Sequence, residues 1–305
     1  MHIRNIFEKQ KPTLSFEFFP PKTEKAAEAL YETIAELEAF KPSFVSVTYG
    51  AGGTTRELTH QLVSRITKET SLRPIPHLTC VCHQEAEVEE ILEQYADLQV
   101  GNLLALGGDP PRHLENYRRA DDAFQHAADL VAFIKRFNMA ERHPEGGFGI
   151  GVAGFPEGHP ATPNRMLEMD YLKAKVDAGA DYICTQLFFD NHDFYDFRER
   201  CNLAGITIPI VAGIMPITSV GGMRRMADLA AGSRFPAKLL RALGRAGDEK
   251  EAVERVGIHY ATEQCSDLLD HDVAGIHFYT LNKSHATREI YRSLGLRDTE
   301  ALVSR

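Results

Sequence analysis

The chain has 305 residues, 43% of them hydrophobic and 25% charged, which is an ordinary composition for a water-soluble globular protein. Its net charge of −9, without any block of basic residues, argues against nucleic acid as a partner. No apolar run approaches the roughly 20 residues that span a bilayer, and the first residues lack the apolar core of a signal peptide, so we expect no membrane association and a cytoplasmic location.

Short apolar segments alternate with longer amphipathic segments along the chain, and this pattern predicts alternating strands and helices. The predicted strands cover residues 14–19, 43–49, 75–80, 102–107, 149–155, 182–188, 208–214 and 275–281. The first predicted helix follows Thr23, which can cap its N-terminus, and later helices cover residues 55–69, 84–97, 121–137, 164–178, 192–203 and 218–231. Gly179 and Gly205 come just past two helices, where glycine readily takes the left-handed conformation that ends a helix.

The eight strand–helix alternations predict an α/β fold of the (β/α)8 TIM barrel class, formed as one catalytic domain over residues 1–305. An open, doubly wound sheet is the alternative, but no G-x-G-x-x-G sequence follows the first strand. The interval between strands 7 and 8 is too long for one helix, so we expect extra helices near residues 218–231, 235–244 and 249–269. We expect residues 1–12 and 298–305 to be peripheral.

The first predicted strand carries a carboxyl group, Glu17, among aromatic residues and ends at two prolines. Alternation along the strand puts Ser15 and Glu17 on one face, and Phe16 and Phe18 on the other. A carboxyl group beside aromatic rings tends to have a raised pKa, which suits it to donate a proton near neutral pH. The alternative is a glutamate on an edge strand that points into water.

Polar residues concentrate at the carboxyl ends of the predicted strands, where barrels of this class have their active sites. Gly107, Gly108 and Asp109 follow strand 4, although these residue types also form simple turns. His77 and His159 are candidates as well, although backbone carbonyls could hold both rings. Small residues, aromatic rings and isolated amides and carboxylates at these ends favour a large planar ligand.

Cysteine usage and histidine spacing argue against a metal site. The five cysteines are scattered and odd in number, which argues against a disulfide framework and fits a reducing compartment. The sequence Cys80-Val81-Cys82-His83 makes a metal site the alternative, but its spacing is not that of a zinc knuckle and no second pair completes four ligands. We therefore expect structural cysteines and no metal.

Eight motifs, taken together and in order, give the chain a resemblance to a known family. They begin at Ser15, Val45, Pro76, Gly108, Pro156, Lys175, Thr185 and His277, and read SFEFFPP, VSVTYGA, PHLTC, GDPP, PEGHP, KVDAGA, TQLFFD and HFYTLN. In this combination the chain resembles methylenetetrahydrofolate reductase of the bacterial single-domain type, from about Ser15 to Leu296.

The resemblance implies a flavin enzyme on a (β/α)8 barrel that reduces 5,10-methylenetetrahydrofolate to 5-methyltetrahydrofolate and so supplies methyl groups for methionine synthesis. It implies FAD as cofactor, NADH or NADPH as reductant, a ping-pong mechanism and a homo-oligomer. It also implies small-molecule partners only, namely folate and a nicotinamide nucleotide. Since no regulatory domain follows the barrel in this sequence, we expect no allosteric inhibition of the kind found in longer relatives.

The resemblance also assigns site residues. Glu17 matches the proton donor of the family, and Asp109 matches a carboxylate near the flavin that also meets the pterin. Residues at the positions where the family holds FAD are Thr48, Tyr49, Ala51, His77, Gly107, Gly108, Asp109, Ala127, Phe155, His159, Thr162, Glu168, Tyr171, Ala174 and Lys175. Substrate-binding positions correspond to Gln186, Gly222, Met226 and Lys283.

Some of these positions depart from the enterobacterial pattern of the family. Gly107 replaces an arginine, and Phe155 replaces a tyrosine. Gly222 and Met226 stand where a glutamine and a phenylalanine contact the substrate or the nicotinamide, and Lys283 replaces an arginine. The departures concern affinity and the geometry of nicotinamide binding. The alternative functions are a pterin-binding barrel methyltransferase without flavin and a non-catalytic folate- or flavin-binding protein.

Overall fold

Eight parallel strands form a closed barrel in the computed structural model, which describes residues 1–50, 55–111, 117–230 and 233–303. The strands pair in chain order, and the last pairs with the first. They are β1 (Thr13–Phe18), β2 (Phe44–Val47), β3 (Pro74–Thr79), β4 (Asn102–Leu106), β5 (Gly149–Gly154), β6 (Tyr182–Thr185), β7 (Ile210–Ile214) and β8 (Gly275–Tyr279). The predicted TIM barrel is therefore confirmed, and each predicted strand overlaps an observed one.

Helices surround the barrel and connect its strands. They are α1 (Ile3–Lys9), α2 (Glu24–Glu38), α3 (Arg56–Glu69), α4 (Glu85–Asp97), α5 (Ala127–Met139), α6 (Arg165–Asp177), α7 (Asn191–Leu203), α8 (Val220–Leu229), α9 (Ala237–Ala246), α10 (Lys250–Asp270), α11 (His285–Ser293) and α12 (Thr299–Val303). The extra helices expected between strands 7 and 8 are α8, α9 and α10. Within the described ranges, no helix has the length and apolar character needed to cross a membrane.

Local signals for helix ends are confirmed at several positions. The Thr23 hydroxyl accepts a hydrogen bond from Ala26 N at 3.2 Å, as expected of a helix cap. Gly179 and Gly205 have φ angles of +115° and +73° at the ends of α6 and α7. The helix predicted over residues 121–137 starts too early, because a 3₁₀ turn (Arg119–Asp121) and a loop precede α5.

Alternation along the strands separates two apolar layers. Side chains that point outward, such as Phe16 and Val45, pack against the surrounding helices in the main core. Side chains that point inward at the amino ends of the strands form a second cluster that includes Phe44, Tyr182 and Val211. The carboxyl ends of the same inward-facing rows carry polar residues, so the barrel has an apolar floor and a polar mouth.

The expectation that residues 1–12 are peripheral is wrong for α1. Ile3, Ile6 and Phe7 are 0%, 2% and 4% exposed, and they pack into the apolar cluster at the amino ends of the strands. The Ile3 amide donates a 2.6 Å hydrogen bond to Oδ1 of Asn102, and Arg4 pairs with the buried Asp181 at 2.6 Å. Helix α1 therefore closes the barrel opposite its polar mouth.

The expectation for residues 298–305 is wrong for the start of that segment. Asp298 and Thr299 are 3% and 0% exposed. Both the amide and the hydroxyl of Thr299 donate to the carbonyl of Phe40, at 2.9 and 3.1 Å. The segment that follows α11 is therefore hydrogen-bonded to the residues just after α2.

Candidate active site

Glu17 lies near the carboxyl end of β1, inside the mouth of the barrel. Its side chain is in register with Ser46 on β2 and Tyr279 on β8, and the residue is 6% exposed. Burial raises its pKa to about 8, because the low-polarity surroundings penalise the carboxylate form. The carboxyl group therefore keeps its proton at neutral pH, as the aromatic surroundings in the sequence predict.

His77 on β3 is an ionisable neighbour of Glu17. Its Nε2 atom is 3.6 Å from Oε2 of Glu17, and the residue is 7% exposed. Burial lowers the pKa of His77 to about 3, so the ring is neutral at neutral pH. Among the described residues, Nε2 of His77 has no hydrogen-bond partner. The two side chains are thus a protonated acid and a neutral imidazole rather than a charged pair.

A second histidine lies beneath this pair, in the centre of the barrel. The Nδ1 and Nε2 atoms of His277 are 2.8 and 3.1 Å from the hydroxyl oxygens of Ser15 and Ser46. Burial lowers the pKa of His277 to about 3. The hydroxyl of Tyr279 donates to a backbone carbonyl of β6 at 2.6 Å. The floor below Glu17 is therefore polar but uncharged, so it does not stabilise the ionised form of the acid.

Two glycines shape the end of β4. Gly108 has a φ of +78°, and a Cβ there would lie 2.2 Å from a side-chain carbon of Val81 and 2.8 Å from Cβ of Thr79. Only glycine fits this position, because its φ is positive and a Cβ would collide with neighbouring side chains. Asp109 follows it and is exposed at the mouth.

The loop after β5 and helix α6 bring further predicted residues together. Phe155 and His159 contact each other edge to face, with ring centroids 4.6 Å apart. Burial lowers the pKa of His159, the charge of Lys175 lowers it further, and the carboxylate of Asp109 opposes this effect. Asp109 and Lys175 therefore both lie within electrostatic range of His159, although the three residues come from separate parts of the chain.

Lys175 is a cation with little access to water. Its Nζ donates a 2.6 Å hydrogen bond to the carbonyl of Ala153 on β5. Burial lowers its pKa to about 8, and nearby Glu168 partly opposes this shift. Burial also raises the pKa of Glu168, whose buried Oε2 atom has no hydrogen-bond partner in the described parts of the chain. These polar groups could bind a polar or phosphorylated ligand.

Four predicted substrate-binding residues occupy different environments. Gln186 follows β6, is half-buried, and its Oε1 accepts a 2.9 Å hydrogen bond from Leu187 N. Gly222 lies in the first turn of α8, and Lys283 is exposed after β8. Met226 is 7% exposed within the apolar cluster between α8, α9 and α10. The structure thus assigns the side chain of Met226 to packing.

The remaining predicted cofactor positions lie on the loops and helices that follow the strands. Tyr49 donates or accepts a 3.1 Å hydrogen bond at Nε2 of His83, and burial raises its pKa to about 12. Tyr171 on α6 is exposed and stacks on His126, with ring centroids 5.4 Å apart. The other positions are Thr48 after β2, Ala127 at the start of α5, Thr162 after β5 and Ala174 on α6. Ala51 lies outside the described residues.

The Cys80–His83 segment has a structural role in this fold. Cys80 is 0% exposed, and the ring nitrogens of His83 lie 2.8 Å from the carbonyl of Val81 and 3.1 Å from the hydroxyl of Tyr49. Across the described ranges, no group of three or more His, Cys, Asp or Glu side chains is arranged to hold a metal ion.

Comparison with known proteins gives consistent matches over most of the chain. A family model described as methylenetetrahydrofolate reductase matches residues 2–295. The chain is 41% identical over 312 residues to methylenetetrahydrofolate reductase (NADH) 1 of Arabidopsis thaliana, covering 99% of this chain and 51% of that protein. It is 35% identical over 284 residues to 5,10-methylenetetrahydrofolate reductase of Escherichia coli K12, covering 93% of this chain and 91% of that protein. The chain thus spans about half the length of the plant relative.

A solved structure shares the fold. It is an uncharacterized protein from Clostridium thermocellum that binds two copies of 5-methyl-5,6,7,8-tetrahydrofolic acid. The TM-score is 0.63 at 13% identity, and the alignment covers 97% of this chain and 99% of that chain. At this identity, the similarity concerns the fold alone.

Proposed function

The chain belongs to the methylenetetrahydrofolate reductase family, and from this premise we propose that it reduces 5,10-methylenetetrahydrofolate to 5-methyltetrahydrofolate. The proposed cofactor is FAD, and the reductant is NADH or NADPH, with NADH supported by the name of the plant relative. The nicotinamide leaves before the folate binds, in a ping-pong mechanism. The product would supply methyl groups for methionine synthesis in the cytoplasm, and the enzyme would be a homo-oligomer.

The protonated carboxyl group of Glu17 is the observation that carries this proposal. The methylene bridge of the folate accepts a hydride poorly until its five-membered ring opens to an iminium cation. Opening requires a proton on the departing nitrogen, so a neutral acid has to be present at neutral pH. Glu17, with a pKa raised to about 8 by burial, is such an acid at the mouth of the barrel.

The neutral surroundings of Glu17 support its role as the donor. A cation beside the carboxyl group would favour its ionised form and remove the proton before the folate arrived. His77, whose Nε2 atom is 3.6 Å from the carboxyl group, is neutral because burial lowers its pKa to about 3. Beneath them, His277 is neutral as well and is held between two serine hydroxyls.

Asp109 and Gln186 would serve the folate after the ring opens. The iminium form carries a positive charge, and the exposed carboxylate of Asp109 at the mouth could stabilise it. Gln186 presents an amide at the end of β6, which could orient either the folate or the nicotinamide. Both assignments follow from the family positions and from the chemistry of the side chains.

The residues at the mouth fit FAD as the cofactor. Among the described residues, His77 Nε2, Thr79 Oγ1 and Glu168 Oε2 are buried polar atoms without a hydrogen-bond partner, as expected where a polar cofactor binds. Gly107 and Gly108 lie half-buried at the end of β4, and Lys175 could meet a phosphate as a point charge. When bound, FAD supplies the hydride chemistry, taking a hydride from the nicotinamide and giving one to the folate.

The absorbance spectrum of the purified protein tests the proposal. A yellow protein that bleaches when NADH is added without oxygen, and that oxidises NADH with a quinone acceptor, supports a flavin-dependent reductase. A colourless protein that FAD does not protect against heat contradicts it. If that colourless protein still binds folate, a folate-binding barrel without flavin becomes the better assignment.

A further inference from the structure

Arg119 places a guanidinium group over the end of β4. Its Nη2 donates a 2.8 Å hydrogen bond to the carbonyl of Gly107, and its Nη1 donates at 3.3 Å to the carbonyl of Gly108. Its Nε donates at 3.2 Å to the carbonyl of Gln125, just before α5. The group therefore bridges the end of a barrel strand and the start of the next helix.

The guanidinium occupies the space that a side chain at position 107 would take. A Cβ built on Gly107 would lie 3.2 Å from Nη2 of Arg119, and no other atom of the described residues lies within 4 Å of it. Gly107 does not have a positive φ, so glycine is not required there for backbone reasons. The absence of a side chain at Gly107 thus leaves the space that the guanidinium of Arg119 occupies.

The guanidinium of Arg119 forms no salt bridge with a carboxylate in the described part of the chain. Three of its N–H groups donate to backbone carbonyls, which are neutral, and it also interacts with the hydroxyl of Tyr117. The carboxylate of Asp122 accepts hydrogen bonds from Cys82 N and Tyr117 Oη, and that of Asp129 accepts from Gln125 N and His126 N, so neither pairs directly with the guanidinium. A planar cation with spare N–H groups suits an anion with several oxygens.

A second observation at the same strand end also indicates a ligand. Thr79 is 5% exposed, and its Oγ1 is buried without a hydrogen-bond partner among the described residues. Its Cβ would lie 2.8 Å from a Cβ on Gly108, so the hydroxyl belongs to the same corner as the carbonyls that Arg119 holds. A ligand with acceptor oxygens could engage both groups.

We propose that Arg119 is a binding residue for the diphosphate of the dinucleotide cofactor, and that it supplies from the loop the cation that residue 107 lacks. The inference rests on the proposed function, because it assumes a dinucleotide at the mouth of the barrel. The guanidinium lies at the strand end that carries Gly107 and Gly108, both of them expected cofactor positions.

Flavin titration of the flavin-free full-length protein tests the inference. Arg119→Gln removes the charge, so its affinity for FAD should fall by about tenfold or more, as expected for a lost charge-assisted hydrogen bond. Riboflavin, which has no phosphate, should bind the variant and the wild type within about twofold of each other. Affinity for folate should be unchanged. This measurement is needed because the carboxylates of the folate tail are the other anions that a guanidinium could attract.

Arg118→Gln is the matched control. Arg118 is the neighbouring residue, its side chain is 75% exposed, and it pairs with Asp121 at 2.8 Å. The substitution changes net charge by the same amount, and FAD affinity should stay within about twofold of the wild type.

A swap of the two positions adds a second test. The double variant Gly107→Arg with Arg119→Gln should recover FAD affinity to within about threefold of the wild type, because the new side chain enters the space that Arg119 leaves. Gly107→Arg alone should not improve binding, because its Cβ lies only 3.2 Å from Nη2 of Arg119. If Arg119→Gln has no thermal unfolding transition, Arg119→Lys replaces it and should give an intermediate loss of FAD affinity only.

The outcomes separate this inference from the proposed function. A wild-type protein that binds neither FAD nor riboflavin contradicts both. A wild-type protein that binds FAD, with equal losses of FAD and riboflavin in Arg119→Gln, overturns only the inference and makes Arg119 structural. An unchanged FAD affinity, or a loss confined to folate, also overturns it.

Discussion

The carboxyl group of Glu17 and the imidazole of His77 lie 3.6 Å apart, Oε2 to Nε2, and both are neutral. Burial raises the pKa of Glu17 to about 8 and lowers the pKa of His77 to about 3. In an exposed pair, the proton would leave the carboxyl group and the imidazole would hold it near pH 6. Here desolvation penalises both charges, so the proton stays on the carboxyl group. The barrel thus contains a protonated carboxyl group that can donate its proton at neutral pH.

The pH dependence of folate reduction should follow the ionisation of Glu17. The folate half-reaction should slow above about pH 8, where burial places the pKa of this carboxyl group. The NADH half-reaction needs no acid and should stay constant over the same range. Stopped-flow flavin absorbance measures each separately. A parallel fall in both would assign the change to a group that serves both, such as Lys175, whose pKa is also about 8.

The pH dependence of stability gives an independent check on Glu17. Between about pH 4.5 and 8, the folded protein retains this proton while the unfolded chain has lost it. The free energy of unfolding therefore falls through this group by about 1.4 kcal/mol per pH unit. Glu17→Gln removes this effect. The free energy of unfolding of the variant, relative to that of the wild type, should therefore increase as the pH rises. Urea unfolding of the flavin-free proteins measures this. Parallel curves, as expected for the exposed control Glu32→Gln, would disprove the burial effect.

Asp109→Asn should slow the folate half-reaction by about tenfold or more, because it removes a negative charge that stabilises the opened, cationic folate. The NADH half-reaction should change less, although the flavin potential can shift. Single-turnover kinetics and a potentiometric titration measure the two effects. Asp121→Asn, an exposed carboxylate on the neighbouring 3₁₀ turn, is the control and should leave both rates intact. An unaltered folate half-reaction in Asp109→Asn would remove this residue from the mechanism.

Phe7→Ala should destabilise the protein by about 3–5 kcal/mol, the usual cost of removing a buried aromatic ring. Phe7 is 4% exposed, and its ring centroid lies 5.7 Å from that of Tyr182 inside the barrel. Met139→Ala, at a side chain 73% exposed, should cost no more than about 0.5 kcal/mol. Urea unfolding compares the two variants. Equal, small effects would mean that α1 is peripheral after all.

The barrel could be predicted from the sequence because short local sequence patterns identify its strands. Each strand is a short apolar run, and glycines such as Gly179 mark where a helix must end before the next strand begins. Helix α1 could not be predicted in this way. Its burial depends on contacts with distant residues, such as the hydrogen bond from Ile3 to Asn102, which no local pattern contains.

The site was predictable only in part, for the same reason. An acidic residue in an aromatic strand indicates burial, so the raised pKa of Glu17 could be expected from the sequence. The neutral pairing with His77 depends on strands that meet only in the closed barrel. Arg119 was missed because it lies twelve residues beyond the carbonyl of Gly107 that it holds. Met226, expected at the substrate, lies in the apolar cluster with α9 and α10, and its substrate-binding role stays a prediction.

The two half-reactions of Glu17→Gln test the central claim most directly. The substitution keeps the size and polarity of the side chain but removes the proton that opens the folate ring. NADH should reduce the flavin of the variant at a rate close to that of the wild type, measured by stopped-flow absorbance without oxygen. Reduced variant mixed with 5,10-methylenetetrahydrofolate should then show no reoxidation. Reoxidation at the wild-type rate, or equal loss of both half-reactions, would contradict the assignment of Glu17 as the acid.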